Sequence, residues 1–421
     1  MDRPQAKFER ILPDFLCSGM NPSQVLPNFR LKGKDLLPVV QGGMGVGVSA
    51  HLLAGHVARL GAMGTISSID LRRHHADLMQ QTGRCRNREL IEAANLEALD
   101  REIKAARAIS GDSGFIAVNV MRAVNQYKAY VQQSCISGAD AIVMGAGLPL
   151  DLPELTSDWP SISLVPILSD ARGIAILLKK WTRKNRLPDA IIIEHPAYAG
   201  GHLGSPNMEN LDDPRFGFKQ VIEETLELFE KMGLASASIP LIVAGGIYRH
   251  EQIRTYLQMG ASAVQLGTAF AVTIEGDAHP QFKKVLAEAK PEDIVTFMSV
   301  AGLPARAVRT PWLENYLRRE DKLRKLAHPL RGRCTLGWDC LIQCGLRDGD
   351  PKAGQFCIDH QLAAAMNGDL QKGLFFRGSE PLPFGSAIRP VVELMRFLLT
   401  GKDSCKLSSG LAGQADIQAG S

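Results

Sequence analysis

The chain has 421 residues, of which 45% are hydrophobic, 22% charged and 6% aromatic, as in ordinary soluble globular proteins. Its net charge is only +4 and no basic block alternates with aromatic residues, so we exclude nucleic acid as a partner. No apolar run approaches the ~18 residues of a membrane span, and the N-terminus lacks the apolar core of a secretion signal. We therefore expect a cytoplasmic protein without a membrane partner, whose eight cysteines are not paired as disulfides.

Eight short apolar runs follow one another along the chain. They lack polar alternation, as expected of parallel strands that are buried on both faces. In chain order these predicted strands are Pro38–Val40, Met63–Ile66, Phe115–Val120, Ala141–Met144, Leu164–Ile167, Ala190–Glu194, Leu241–Ala244 and Ala263–Leu266. Helix-compatible segments lie between most of them, at Ala50–Leu60, Leu90–Ile109, Ala171–Lys184, Gln220–Met232 and His250–Met259. This alternation predicts an α/β protein with a closed (β/α)8 TIM barrel.

The barrel does not account for the whole chain, because a plain (β/α)8 barrel needs only about 250 residues. We assign residues 1–36 to an N-terminal extension, 37–308 to the barrel and 309–406 to a mixed, mainly helical C-terminal cap. Residues 407–421 are rich in Ser, Gly and Ala, and we predict that they form a disordered tail. The segment from about Asp70 to Gly114 is longer than one helix requires, which predicts an excursion near the barrel mouth.

Three glycine-containing runs directly follow predicted strands 1, 7 and 8. They are Gln41-Gly42-Gly43-Met44-Gly45, Ala244-Gly245-Gly246-Ile247 and Gln265-Leu266-Gly267-Thr268-Ala269. Glycine lets a backbone come close to a ligand, and the loops after strands 7 and 8 are the usual phosphate site of this fold. Any one run alone is best explained as a tight turn. Together they predict a phosphorylated cofactor, with the Asn119 amide at the edge of its ring.

His202 follows predicted strand 6 in the run Ala199-Gly200-Gly201-His202-Leu203-Gly204. Histidine is well suited to proton exchange near neutral pH, and its flanking glycines would expose it to a ligand. We predict that it is catalytic, either as a neutral base or as a hydrogen-bond donor to a substrate oxygen. A histidine that only ties down the loop is the alternative. His195 precedes a proline, so we expect its side chain to face a helix instead of the pocket.

The ordered set of glycine runs, Asn119, Gly145-Ala146-Gly147-Leu148-Pro149 and the His202 run resembles the nitronate monooxygenase family, formerly called 2-nitropropane dioxygenases. The resemblance extends from about Leu37 to Leu313 and implies a TIM barrel with non-covalent FMN. It implies a site in which His202 lies over the flavin and the cofactor is bound by Gln41, Gly42, Gly43, Met44, Asn119, Gly200, Gly201, Gly245, Gly246, Gln265, Gly267 and Thr268. The sequence departs from the family pattern after Glu194, where His195-Pro196-Ala197-Tyr198 precede the double glycine.

The same resemblance implies an FMN-dependent oxidoreductase that oxidises small nitronates or nitroalkanes with O2. Because the family includes flavin-dependent enoyl reductases, the alternative is an NAD(P)H-dependent reductase of an enoyl thioester or a quinone. In both cases the flavin supplies the redox chemistry and the protein binds a small-molecule substrate. A homodimer is a further possibility that the C-terminal segment would support.

Four cysteines, Cys334, Cys340, Cys344 and Cys357, cluster in the predicted cap. Only the Cys-x3-Cys spacing in the middle fits a structural zinc site, whereas an iron–sulfur cluster tolerates more variable spacing. We favour reduced thiols packed in a small helical cap and predict no metal site. The alternative is a zinc ion or an iron–sulfur cluster in an electron-transfer or scaffold subunit. Farther on, the run Gly373-Leu374-Phe375-Phe376-Arg377-Gly378 predicts a short aromatic strand. We expect Phe375, Phe376 and Arg377 to close the flavin pocket, to lie at a subunit interface or to pack in the core.

Overall fold

The computed structural model describes residues 26–205, 207–234, 239–328, 334 and 338–403; the tail predicted at 407–421 lies outside them. Eight parallel strands form a closed barrel in chain order, with the last strand hydrogen-bonded to the first. They are β1 (Val39–Gln41), β2 (Met63–Ser67), β3 (Phe115–Met121), β4 (Ala141–Gly145), β5 (Ser163–Leu168), β6 (Ile191–Glu194), β7 (Leu241–Ala244) and β8 (Ala263–Leu266). The predicted TIM barrel is confirmed, and every strand boundary lies within one residue of its prediction.

Strand β6 shows why these strands carry no polar alternation. Ile192 packs in the cluster that fills the barrel, whereas Ile191 and Ile193 belong to the larger cluster that includes residues of the surrounding helices. All three side chains are completely buried. Both faces of the strand are therefore removed from water, and apolar residues are favoured at successive positions.

Helices surround the barrel and connect its strands. The α-helices are His51–Arg59, Ala76–Thr82, Arg88–Ser110, Tyr127–Ile136, Leu152–Leu155, Ala171–Thr182, Phe218–Lys231, His250–Gln258, Thr268–Ala271, Pro280–Glu288, Pro311–Lys325, Gly345–Asp348, Ile358–Met366 and Val391–Thr400. Short 3-10 turns lie at Leu71–His74, Met208–Asn210, Pro214–Phe216 and Pro291–Asp293. The predicted excursion between β2 and β3 is built from three of these elements. In the part of the chain that the structure describes, no helix is long and apolar enough to cross a bilayer.

A hairpin that sequence analysis did not predict closes the N-terminal end of the barrel. Phe29–Leu31 pairs antiparallel with Lys34–Leu36, and the two residues of the turn between them both have positive φ, as such turns require. The hairpin's apolar side chains, Phe29, Leu31 and Leu36, belong to the cluster that fills the barrel. Lys32 Nζ donates to the carbonyls of Pro160 and Ile162, directly before β5. The barrel interior is thus sealed from below.

The chain after β8 covers the opposite end. Ile294–Met298 and Pro304–Val308 form an antiparallel pair, to which Gly201–His202 adds a short third strand. The strand predicted at 375–377 is limited to one β-bridge, between Phe376 and Ala307. Phe375 turns into the core and stacks on Phe282 with their ring centroids 5.5 Å apart. The third strand matters most for function, because it fixes the backbone of His202.

Candidate active site

A cavity of about 710 Å³ opens at the C-terminal ends of the barrel strands. Every strand contributes wall residues at or just after its last position, as in barrel enzymes generally. The C-terminal segment completes the wall with apolar side chains that include Leu341, Ile358, Leu362 and Phe376. The volume lies in the usual range for sites that bind a cofactor or a small molecule.

Nearly all of the site residues predicted from the sequence meet at this cavity. The wall includes Gly42, Gly43, Met44, Asn119, Gly200, Gly201, His202, Gly245, Gly246, Gln265, Gly267 and Thr268. Residues separated by more than 200 positions in the chain are thereby brought to one surface. The glycine runs after β1, β7 and β8 therefore share one cavity, as the sequence analysis required.

Gln41 is the exception, because the structure places it outside the wall. Its side chain is fully buried, and its amide accepts from Thr65 N at 2.8 Å and donates to Thr65 O at 3.0 Å. The same amide donates to the carbonyl of Gly42. Gln41 therefore joins β1 to β2 and holds the glycine loop in place, instead of facing a ligand.

The double glycine after β7 has a backbone conformation that other residues rarely adopt. Gly245 has φ +108° and Gly246 has φ +72°, so a side chain at either position would strain the backbone. At Gly43 the constraint is space, since a Cβ atom there would lie 2.3 Å from Asn119 Cβ. These glycines keep a bare backbone at the cavity wall.

Gln265 presents an unsatisfied polar atom in the wall. Its Oε1 is buried without a hydrogen-bond partner in the structure, and its Cδ lies 3.2 Å from the position of a Cβ on Gly42. A buried acceptor without a partner costs about 1–3 kcal/mol, so such atoms usually face a ligand or water. The orphaned oxygen marks a place where a ligand N–H would be stabilised.

His202 is held by its own short strand and by a serine. Its Nε2 lies 2.6 Å from Ser299 Oγ, and its ring meets Phe376 edge-on with centroids 5.8 Å apart. Burial lowers the pKa of His202 to about 4, so the imidazole is neutral at neutral pH. The ring is thus a hydrogen-bonding group in the cavity and a weak base.

Ser299, which sequence analysis missed, is the side chain that hydrogen-bonds the His202 ring. Its side chain is fully buried, and its oxygen accepts from Ala301 N at 3.1 Å. A Ser299 hydroxyl that donates to His202 Nε2 leaves the ring proton on Nδ1, whereas one that accepts from Nε2–H leaves Nδ1 as an acceptor. In the first of these tautomers His202 can donate a hydrogen bond to a ligand. No feature of the sequence marked this serine, because it meets His202 only through the pairing of distant strands.

Glu194, the last residue of β6, also lies in the cavity wall. Burial raises the pKa of its carboxyl to about 7. A carboxyl whose pKa lies near neutrality is uncommon and is a frequent property of catalytic groups. Sequence analysis treated Glu194 only as the end of a strand, since burial cannot be inferred from one residue.

The segment that departs from the family pattern folds beside β6. The His195 ring packs against Tyr198 and Phe218, with centroids 4.6 Å and 5.3 Å away, and lies outside the cavity wall. Tyr198 does reach the wall, next to Gly246. The segment is fixed by Arg306, whose Nη1 donates to the carbonyl of Ala199 at 2.6 Å.

The four clustered cysteines lie where the C-terminal segment meets the barrel. Cys340 belongs to the cavity wall, and its pKa is raised by burial, by the nearby Asp359 carboxyl and by the other three thiols. Burial raises the pKa of Cys357 to about 12. Among the residues for which coordinates are described, no group of His, Cys, Asp or Glu is arranged to hold a metal ion. Cys340 and Cys344 are buried, whereas Cys334 and Cys357 are half-buried.

Comparisons with known proteins agree with this geometry. The family profile described as nitronate monooxygenase matches residues 31–380. A probable nitronate monooxygenase of Bacillus subtilis is 29% identical over 124 residues, which are 30% of this chain and 33% of that protein. A putative nitronate monooxygenase of Saccharomyces cerevisiae is 32% identical over 123 residues, which are 28% of this chain and 30% of that protein. The alignments span about a third of the length of these relatives.

Solved structures show the same fold over almost the whole chain. FabK from Thermotoga maritima has a TM-score of 0.58 and 21% identity, covering 89% of this chain and 95% of its own. A nitroalkane oxidase from Streptomyces ansochromogenes has a TM-score of 0.58 and 20% identity, covering 89% of this chain and 97% of its own. With the profile covering most of the sequence, the chain belongs to the nitronate monooxygenase family.

Proposed function

We propose that this protein is an FMN-dependent oxidoreductase that oxidises small nitronates or nitroalkanes with O2. One observation carries the proposal: the glycine loops after β1, β7 and β8 and the His202 ring all face a single cavity. The loops after β7 and β8 are where TIM barrels bind a phosphate, and the β1 loop lies beside β8. This arrangement suits a flat ring that carries a phosphate at one end.

The residues of the wall fit FMN on a structural test. The orphaned oxygen of Gln265 can accept the N–H of the flavin pyrimidine ring, beside Gly42, Gly43, Met44 and Asn119. At the other end, Gly245, Gly246, Gly267 and Thr268 offer backbone amides to the phosphate. Gly200 and Gly201 face the cavity between these regions. When bound, FMN supplies the electron-transfer chemistry, and the protein supplies binding, orientation and proton control.

His202 would bind the oxygen of the substrate. With Nε2 occupied by the Ser299 hydroxyl, Nδ1–H is the donor that can stabilise negative charge on a nitro or nitronate oxygen. A neutral ring suits this role, because it donates a hydrogen bond without adding a positive charge that would need its own counterion. The other predicted role is that of a proton acceptor, and burial of the ring disfavours the protonated form that this role produces.

A second candidate is an NAD(P)H-dependent reductase of an enoyl thioester or a quinone. It is favoured by the apolar part of the cavity, where Leu341, Ile358 and Leu362 border space that a small nitronate does not need. An acyl chain or a quinone would bury its apolar surface there.

An absorption spectrum of the purified protein, before and after anaerobic additions, tests both candidates. Flavin bands that persist with NADPH and NADH but bleach with a nitronate are the expected result. Rapid bleaching by a nicotinamide would replace the first candidate with the second. A protein that binds no flavin, even after incubation with FMN, would refute both.

A further inference from the structure

Two buried arginines lie behind the end of the cavity that we propose for the flavin phosphate. Arg306 and Arg377 are only 7% and 4% exposed, and both follow the barrel in the chain. We infer that their guanidinium groups supply the positive charge that balances a bound phosphate, acting through space from behind the wall. This inference rests on the proposed function and concerns which residues of the C-terminal segment make the site selective for a phosphorylated flavin.

Arg377 is connected to the phosphate end by the residues that follow it. Its Nη1 donates to the carbonyl of Gly378 at 2.7 Å and to that of Glu380 at 3.2 Å. Gly378 belongs to the cavity wall, and its N donates to Thr268 Oγ1 at 3.1 Å. Because Thr268 is one of the residues proposed to hold the phosphate, a single glycine separates the Arg377 side chain from that site.

Arg306 reaches the same end of the cavity from a neighbouring strand. Its Nη1 donates to the carbonyl of Ala199 at 2.6 Å and to that of Pro196 at 3.3 Å, in the segment that leads to Gly200. A Cβ on Gly200 would lie 2.6 Å from the carbonyl carbon of Arg377, so this segment packs directly on the backbone of Arg377. The two arginines therefore lie behind one stretch of wall.

The charges of the two arginines are not neutralised by an ion pair with any residue that the structure describes. Their hydrogen bonds go to backbone carbonyls. Two carboxylates act on them from beyond ion-pair distance: Glu380 on both, and Asp212, which is exposed to water, on Arg306. Burial lowers the pKa of both arginines, although a guanidinium stays charged in proteins. A buried charge without a partner is costly, so an anion at this wall would be stabilised.

Glu380 explains why the glycine loops alone would not suffice for a phosphate. Glu380 belongs to the wall, and a Cβ on Gly246 would lie 3.2 Å from its Cγ. A carboxylate so close to the β7 loop repels a phosphate there, and backbone amides carry no net charge to offset it. The two arginines outnumber this carboxylate, so the local charge is positive and attracts a dianion.

Riboflavin provides the test, because it has the ring and the ribityl chain of FMN without the phosphate. We expect Arg306→Gln and Arg377→Gln each to raise the Kd for FMN by about 10-fold, with a much smaller change for riboflavin. Arg309→Gln is the matched control, since Arg309 is exposed and pairs with Glu314; its Kd values should stay those of the wild type. Fluorescence titration of the flavin-free full-length protein measures each Kd. Equal losses for both flavins would show that the arginines only hold the backbone, and would overturn the inference.

Glu380→Gln should act in the opposite direction, which keeps the inference testable if the arginine variants do not fold. The bond from Arg377 survives in this variant, because it goes to the main-chain carbonyl of residue 380. We expect the Kd for FMN to fall by about 3- to 10-fold and the Kd for riboflavin to stay the same. An FMN affinity that is unchanged or weaker would contradict the charge argument. These titrations involve no turnover, so a protein that behaves in this way but does not oxidise a nitronate would refute the proposed reaction and still support the inference.

Discussion

The two ends of the barrel are built from the same eight strands, yet they present opposite kinds of surface. At the N-terminal end, the hairpin side chains Phe29, Leu31 and Leu36 pack on the barrel interior. At the C-terminal end, open space is surrounded by bare glycine backbone, an orphaned amide oxygen and titratable groups whose pKa values are displaced by burial. The first end gains free energy by burying apolar area, whereas the second leaves polar groups unsatisfied.

This difference indicates that stability and chemistry are carried by separate ends of the same strands. Buried groups without partners cost free energy, so a fold retains them only if the rest of the structure is stable enough. The sealed end, together with the outer layer of helices, supplies that stability. Variants at the two ends should therefore fail in different ways.

The largest expected effect on stability comes from the sealed end. Leu31→Ala removes a fully buried side chain and leaves a cavity, so we expect the free energy of unfolding to fall by about 2–5 kcal/mol. Arg30→Ala on the same strand is the matched control, since Arg30 is exposed and its nearest acid, Asp35, is 3.9 Å away. Urea unfolding of both variants measures the contrast. Altered kcat in the folded Leu31→Ala protein would show that the ends are not separate.

At the open end, His202→Asn should abolish most turnover without unfolding the protein. Loss of one preorganised donor to a developing oxyanion typically lowers kcat by about 10²- to 10³-fold. Flavin content and the unfolding midpoint should stay near those of the wild type, because the ring's hydrogen bond reaches only Ser299. Ser299→Ala should act in the same direction with a smaller loss. Full activity in His202→Asn would refute its place in the site.

Gly267→Val tests the phosphate end with little strain on the protein. A Cβ at Gly267 would be no closer than 3.6 Å to Met44 Sδ, and its φ is negative, so the fold tolerates a side chain there. The added methyl groups would exclude a phosphate from the loop amides. Loss of about two charge-assisted hydrogen bonds weakens binding by about 3 kcal/mol, or about 100-fold in Kd. Fluorescence titration with FMN measures this, and unchanged affinity would refute the phosphate site.

Gly245→Val is a less informative variant at the same end. Its positive φ would strain any side chain, and a Cβ there would lie 3.2 Å from the carbonyl oxygen of His195. Loss of FMN would therefore combine a local backbone effect with a blocked ligand site. Of the two variants, only Gly267→Val therefore measures the effect of blocking the ligand site without added backbone strain.

The barrel could be predicted from the sequence because each of its strands is marked by a short stretch of consecutive residues. A buried parallel strand appears as an unbroken apolar run, so all eight strands were placed within one residue. The helix Tyr127–Ile136 was missed, because polar residues weaken its apolar face. The hairpin at Phe29–Leu36 was missed because each of its strands has three residues, too few to show a period.

The site could be predicted from the sequence only where the type of residue itself indicates the backbone conformation. Glycine runs at strand ends and the histidine between them carry that information, and the structure brings them together. Ser299 and Glu194 carry none, because their importance comes from a contact across 97 residues in one case and from burial in the other. Gln41 was predicted to bind the cofactor because it precedes the first glycine loop, yet its side chain lies outside the cavity wall. A residue next to a ligand-binding loop in the sequence need not point its side chain at the ligand.

The smallest expected effect lies within the open end itself, in how stability depends on pH. His202 has a folded-state pKa of about 4 against an ordinary 6.5, so the unfolded chain binds more protons between these values and stability rises with pH. Glu194 has a folded-state pKa of about 7 against 4.5, so the folded chain binds more protons and stability falls with pH. The two pH ranges overlap, and each group changes the free energy of unfolding by at most about 1.4 kcal/mol per pH unit.

In the wild type these opposite slopes should nearly cancel between pH about 5 and 6.5. Relative to the wild type, Glu194→Gln should make stability rise more steeply with pH, and His202→Asn should make it fall more steeply, whereas the double variant should resemble the wild type. Urea midpoints across this range measure all four proteins. Parallel curves for the two single variants would mean that burial does not displace the two pKa values in opposite directions.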